Sequence, residues 1–180
     1  VMDPRWPRSA DGKWYWKSDT SSDELDGHYF FYGLYYDLVA ETEPERDAVR
    51  AHVAAITDHL LAHDYCLIDH DGLPTRWAVF SPRELNFNKQ WFAERGLNSL
   101  SMLAYLAVAE HVTGDARYRE AADVLIEQHG YLQNVFVPKI HNGAGTGNHS
   151  DDEMAFMNYY HLLAYERDPE RREVYAFSLY

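Results

Sequence analysis

The sequence predicts an all-α fold: antiparallel helical hairpins in two layers, with a small β-hairpin carried in one long loop. Three observations predict it. First, segments apolar on nearly every side alternate with segments bearing a single apolar stripe. A helix apolar all round is buried all round, whereas a striped helix lies at a surface. Second, the links alternate in length. "ETEPER", "TGDARY" and "ERDPER" are short, while residues 64–96 and 130–150 are long. Short links join antiparallel neighbours. Odd-numbered helices therefore form an inner layer and even-numbered helices an outer one, with every long link at the end where the inner helices begin. Third, Ser21-x-x-Glu24 and Ser150-x-x-Glu153 are capping-box patterns that open two of the inner helices.

Six helices follow in order. The first, about Ser22 to Glu41, carries Tyr29, Phe30, Phe31, Tyr32, Leu34, Tyr35, Tyr36, Leu38 and Val39 around its axis. The second, about Glu45 to His63, puts Val49, Val53, Ile56 and Leu60 on one face. Next, "YCLID" and "RWAVF" alternate around Asp69-His70-Asp71-Gly72, an Asp-Gly turn that predicts a β-hairpin. The third helix, about Leu97 to Val112, is apolar on most sides. The fourth, about Ala116 to His129, is amphipathic through Tyr118, Ala121, Ala122, Leu125 and Ile126. The fifth, about Asp151 to Glu166, is again apolar all round. The sixth begins near Pro169, charged and amphipathic. Residues 1–18 form an aromatic-rich segment ahead of the helical domain at 19–180.

Composition narrows the function. Acidic residues outnumber basic ones 29 to 16, for a formal charge of −13, so no nucleic-acid or anionic-membrane partner is expected. No run reaches the roughly 20 apolar residues of a membrane span. One cysteine, Cys66, excludes an internal disulfide and leaves the compartment open. No signal-peptide pattern stands in "VMDPRWPRSADGKWYW". The location is secreted or periplasmic if a leader precedes Val1, and cytoplasmic otherwise. All five tryptophans, Trp6, Trp14, Trp16, Trp77 and Trp91, fall outside the six helices. That placement suits a cleft better than a core.

Paired helices joined by a "TGDARY" turn, with inner and outer members alternating, resemble the (α/α) toroid of the six-hairpin glycosidase superfamily. The resemblance runs from about Asp19 to the end and accounts for three hairpins of the usual six. "DTSSDELDGHYFFYGLYYDL" and "DHDGLPTRWAVFSPREL" resemble uncharacterised bacterial proteins of this kind. The resemblance implies an (α/α)6-type ring of which this chain is a truncated part, and carbohydrate chemistry in a cleft at the inner-helix N-termini. Three hairpins leave inner flanks open, so a homo-oligomer that completes the ring is expected.

Glycoside hydrolysis needs two carboxylates, about 5 Å apart for retention and about 6.5–9.5 Å for inversion. Asp23 and Asp26 from one inner helix and Asp152 from another are the acid/base candidates. Capping accounts for Ser21, Glu24, Ser150 and Glu153 but leaves Asp26 and His28 unexplained. Arg76 beside Trp77 suits a sugar ring, the guanidinium taking hydroxyls or a carboxylate and the indole stacking. With Trp91, Tyr32, His28 and His149 they are the substrate-binding candidates. A lyase acting on uronic acids is the alternative chemistry, with Tyr29, Tyr32, His28 or His149 as base. A glycan-binding or scaffold module without catalysis is the alternative class.

No cofactor is expected. Asp19, Asp23 and Asp26 are of the donor type calcium takes, though without EF-hand spacing. His52, His59 and His63 share an edge of the second helix, away from the expected cleft and without the HExxH pattern. The run "HNGAGTGNHS", from His141, lacks the Lys-Ser/Thr of a phosphate loop and reads as a loop at the cleft rim.

Overall fold

The structure, a computed structural model, describes residues 6–140, 143 and 149–180. Its elements are α1 (Ser22–Leu38), α2 (Glu43–Ala62), β1 (Cys66–Ile68), β2 (Pro74–Val79), α3 (Pro82–Phe87), α4 (Arg95–Thr113), α5 (Ala116–His129), α6 (Tyr131–Asn134), α7 (His149–Tyr165) and α8 (Pro169–Leu179), with a 3-10 turn at Lys89–Trp91 before α4. The fold is mainly helical, with one two-stranded antiparallel sheet. The sequence pattern marks the six long helices and the hairpin. It misses α3, α6 and the 3-10 turn, which are too short to show a period.

Local chemistry sets the helix ends. The Glu24 carboxylate reaches back to the Ser21 N–H at 2.6 Å, closing the predicted box at the start of α1. Thr42 and Glu45 form a second box at α2, with the Thr42 N–H 2.9 Å from Glu45. The expected cap at Ser150 is displaced: α7 already begins at His149, so Ser150 lies inside its first turn. Asp115 and Asp168 cap α5 and α8. Gly114 and Gly130 end α4 and α5 in the left-handed conformation, at φ 74° and 68°.

The inner layer is α1, α4 and α7, which pack pairwise against one another, while α2, α5 and α8 lie outside. Helix α4 is the axis of the core. Leu100, Met102, Leu103, Tyr105, Leu106 and Val108 are all sealed from solvent. The Tyr105 ring stacks on Tyr29 of α1 with centroids 4.1 Å apart, and Phe80 meets its edge at 5.4 Å. Burial on most sides, expected for all three inner helices, holds for α4 alone. Phe31 and Leu38 on α1 are 55% and 74% exposed, and Phe156 and Tyr160 on α7 are 59% and 50% exposed. The outer helices cover only one side of each hairpin.

Two features position the cleft. The sheet pairs Cys66 with Val79 and Ile68 with Pro74. One residue of β1 thus faces four of β2, and the surplus bulges out. Asn98 of α4 donates to the Val79 carbonyl at 2.9 Å and to the Trp77 carbonyl at 3.3 Å, pinning the bulge to the start of α4. Gly96, two residues earlier, is required by close approach. A Cβ there would fall 1.9 Å from the Val137 carbonyl oxygen and 2.8 Å from Pro138 Cα. The link leading to Lys139 runs directly over this glycine.

Candidate functional site

The N-terminal ends of α1, α4 and α7 meet at a cleft of about 390 Å³, within the usual range for small-molecule sites. The chain ahead of α1 lines it with Lys17, Ser18 and Asp19, and α1 itself adds Ser22 and Asp23. Arg76 and Trp77 come from the bulge, Trp91 from the 3-10 turn, and Glu94, Leu97 and Asn98 from the start of α4. Lys139 enters from the link after Pro138, and Ser150, Asp151 and Met154 from α7.

The predicted residues separate into three groups. Asp23, Arg76, Trp77 and Trp91 line the cleft. Asp23 is exposed and forms no ion pair among the described residues. The Arg76 guanidinium lies 4.7 Å from the Trp77 ring centroid, and the Trp77 and Trp91 rings meet edge to face at 6.4 Å.

Asp26 lies below the cleft, not at its mouth. It is 1% exposed and faces the interior with Leu25 and Tyr29. Its Oδ1 accepts from the Tyr105 hydroxyl at 2.5 Å and from the Asn158 amide at 3.0 Å, while Oδ2 has no partner among the described residues. Asn158 also donates to Ser101 Oγ at 2.9 Å. Burial pushes the Asp26 carboxyl up to about 7, against the Tyr105 and Asn158 hydrogen bonds that lower it.

Asp152, His28, Tyr32 and His149 lie outside the lining. Asp152 is exposed and pairs with His149 at 3.4 Å on the surface of α7. His28 stacks on Tyr32 at 5.9 Å on a flank of α1. The helical period explains this: one step along α7 is about 100°, so Asp151 points inward where Asp152 points out.

Sequence reasoning missed Asp151, Glu94, Lys139 and Asn98. Lys139 Nζ lies 2.9 Å from Asp151 and also bonds Glu94. Burial lowers its proton affinity, yet these two carboxylates outweigh burial and hold the ammonium above its usual range. Asp151 adjoins Asp152, and Glu94 and Asn98 sit at the N-terminus of an inner helix that no capping-box pattern marks. Lys139 carries no local signal, since a fold contact over Gly96 places it.

Asp19 has a structural task. At φ 57°, in the left-handed region, its backbone N–H donates to Asp69 Oδ2 at 2.7 Å while its own Oδ1 accepts the Arg76 N–H at 2.7 Å. It clamps the N-terminal segment to the hairpin turn. Asp19, Asp23 and Asp26 thus do not converge, and among the described residues no group of three or more His, Cys, Asp or Glu could hold a metal ion. On α2, His59 Nε2 accepts the Ile68 N–H at 3.0 Å, tying that helix to β1. His141 and the glycine-rich run after it, apart from Gly143, lie outside the described residues. Among the described residues no helix is long and apolar enough to cross a membrane.

No family model, curated protein or solved structure matches this chain.

Proposed function

We propose that this chain is a carbohydrate-active enzyme of the glycoside hydrolase type, acting on an oligo- or polysaccharide with Asp23 and Asp151 as the acid/base pair. One observation carries the reading: carboxylates from the first turns of α1 and α7 share a cleft with two tryptophans and an arginine. Carboxylates supply the proton transfers of glycosidic cleavage, and indole faces suit sugar rings. In this reading Lys139 orients Asp151, and Asp26 supports the floor without touching substrate. The hydrolase reading is preferred to the lyase one because the described lining contains no Tyr or His to act as base.

The relation to the (α/α)6 toroid belongs to the same proposal. Alternating inner and outer helices, with inner N-termini at the cleft, support it. The contact of α1 with α7 makes a tighter array than the open half-ring expected. The homo-oligomer is likewise proposed, supported by the exposed Phe31, Leu38, Phe156 and Tyr160. Light scattering after size exclusion tests it, a monomer counting against it.

A reducing-end assay over neutral and acidic oligosaccharides tests the activity. Asp23→Asn and Asp151→Asn should each lower turnover by about 10²–10⁴-fold with the helical circular dichroism kept. Product formation unaffected by both substitutions would refute the assignment. A glycan-binding module is the second reading, favoured by one feature: Glu94 and Asp151 are both engaged by Lys139. Binding without product would select it.

A further inference from the structure

The cleft does not end at its tryptophans. A second cavity of about 220 Å³ adjoins it, lined by Arg76, Trp77, Gln90 and Trp91. Three of these four residues also line the main cleft. The edge-to-face tryptophan pair therefore forms a partition shared by two spaces, and Arg76 belongs to both.

Arg76 differs from the other cations of the cleft. Lys17 pairs with Glu24 at 2.5 Å. Lys139 is held between Glu94 and Asp151. Arg76 forms no ion pair among the described residues. The Asp19 carboxylate accepts the Arg76 backbone N–H, and among the described residues the guanidinium has no acidic partner. Its position over the Trp77 ring leaves the planar fork of donors available to a ligand. A guanidinium matches a carboxylate through two parallel hydrogen bonds.

We infer that the substrate is an acidic oligosaccharide of at least two units that crosses the Trp77–Trp91 partition, with a uronate carboxylate held by Arg76. This inference rests on the glycan reading of the cleft and adds the charge and the length of the ligand. The bulge that carries Arg76 and Trp77 is its structural basis, because a regular ladder would not project both into the groove.

The test is calorimetric titration with tetragalacturonate, tetramannuronate, cellotetraose, maltotetraose and a sulfated tetrasaccharide. Wild type, Arg76→Gln and Trp77→Ala are each compared, with circular dichroism confirming the fold. A uronate tetramer should bind, and Arg76→Gln should weaken it about tenfold or more, while changing any neutral ligand less than twofold. Added salt should weaken uronate binding to the wild type more than to Arg76→Gln. The uronate monomer should bind more weakly than the tetramer, and Trp77→Ala should reduce that difference. Neutral tetramers bound as tightly as the uronates, with Arg76→Gln silent, would overturn the inference and leave the glycan reading standing. A sulfated ligand preferred over every uronate would also overturn it. If no saccharide binds, the functional reading itself fails and this inference with it.

Discussion

Replacing Asp26 by Asn tests the assignment of a buried acid beneath the cleft. Burial raises the carboxyl's pKa in the folded protein to about 7, against 3.8 for an ordinary aspartate. The folded state therefore holds the proton more tightly than the unfolded state. Below the unfolded value both states are protonated and nothing is lost. As pH rises from about 4 through about 7, the unfolded state gives up its proton first, so stability falls. The span from 3.8 to about 7, at about 1.4 kcal/mol per tenfold change in proton binding, gives a total loss of about 4 kcal/mol. Of this, about 2–3 kcal/mol falls between about pH 5 and about pH 8. Asn keeps the oxygen that accepts from Tyr105 and Asn158 and cannot ionise. Urea denaturation followed by helical circular dichroism, for both proteins across this range, measures the difference directly. The Asn variant should gain on the wild type steadily as pH rises. A stability difference that stays constant from about pH 5 to about pH 8 would refute the buried-acid argument. The same variant should retain turnover, since Asp26 lies outside the lining.

Other perturbations follow from the same geometry. His161 is 1% exposed, its Nε2 lies 3.3 Å from the Phe30 carbonyl, its Nδ1 has no partner among the described residues, and burial lowers its pKa to about 4. Stability should therefore fall as pH drops from about 6.5 to about 4, by about 3 kcal/mol, and His161→Leu should remove that acid-side loss in the same denaturation assay. Gly96→Ala should destabilise by about 1–3 kcal/mol, because the new Cβ meets backbone that cannot rotate away. It should also weaken saccharide binding, since the displaced segment carries Lys139; a variant with wild-type melting and binding would contradict this.

Much of the architecture is legible because it is repetitive. The alternation of all-round and striped helices places α4 in the core, and the boundaries of α5 match the pattern from Ala116 to His129. The site is legible in part, and phase explains where reading stops. Ser22, Leu25, Asp26, Tyr29 and Gly33 are the buried residues of α1, one stripe at helical spacing. Following that stripe assigns Asp26 to the interior, while Asp23 falls about 100° from Ser22, at the margin of the stripe, where it can reach the cleft. On α7 the corresponding stripe passes through Asp151, Met154, Asn158 and Leu162, which leaves Asp152 outside. Lys139 and the Arg76 guanidinium, which forms no ion pair among the described residues, are different. They depend on the approach of one segment over Gly96 and on a bulge, and neither leaves a periodic trace.

An ionisable group placed at this depth has a cost, and its partners indicate what offsets it. Asp26 joins α1 to Tyr105 of α4 and to Asn158 of α7, which in turn reaches Ser101. The network ties the three inner helices together just below the residues that face the cleft. The Tyr105 hydroxyl oxygen also lies 3.2 Å from the Ser22 carbonyl, one turn from Asp26, a second and longer acceptor for its single proton. Apolar contacts alone would tolerate small slips of one helix along another, whereas these donors and acceptors fit one register. If that is their role, removing Tyr105's hydroxyl and Asp26's charge should not be additive. Tyr105→Phe alone should cost about 1–3 kcal/mol, because a buried acceptor loses its donor. In a double-mutant cycle with Asp26→Asn the coupling should be at least about 0.5 kcal/mol and should grow with pH as the wild-type carboxyl ionises. Coupling near zero at every pH would mean that the hydroxyl and the carboxyl act separately. The alignment of Asp23, Glu94 and Asp151 at the cleft would then rest on packing alone.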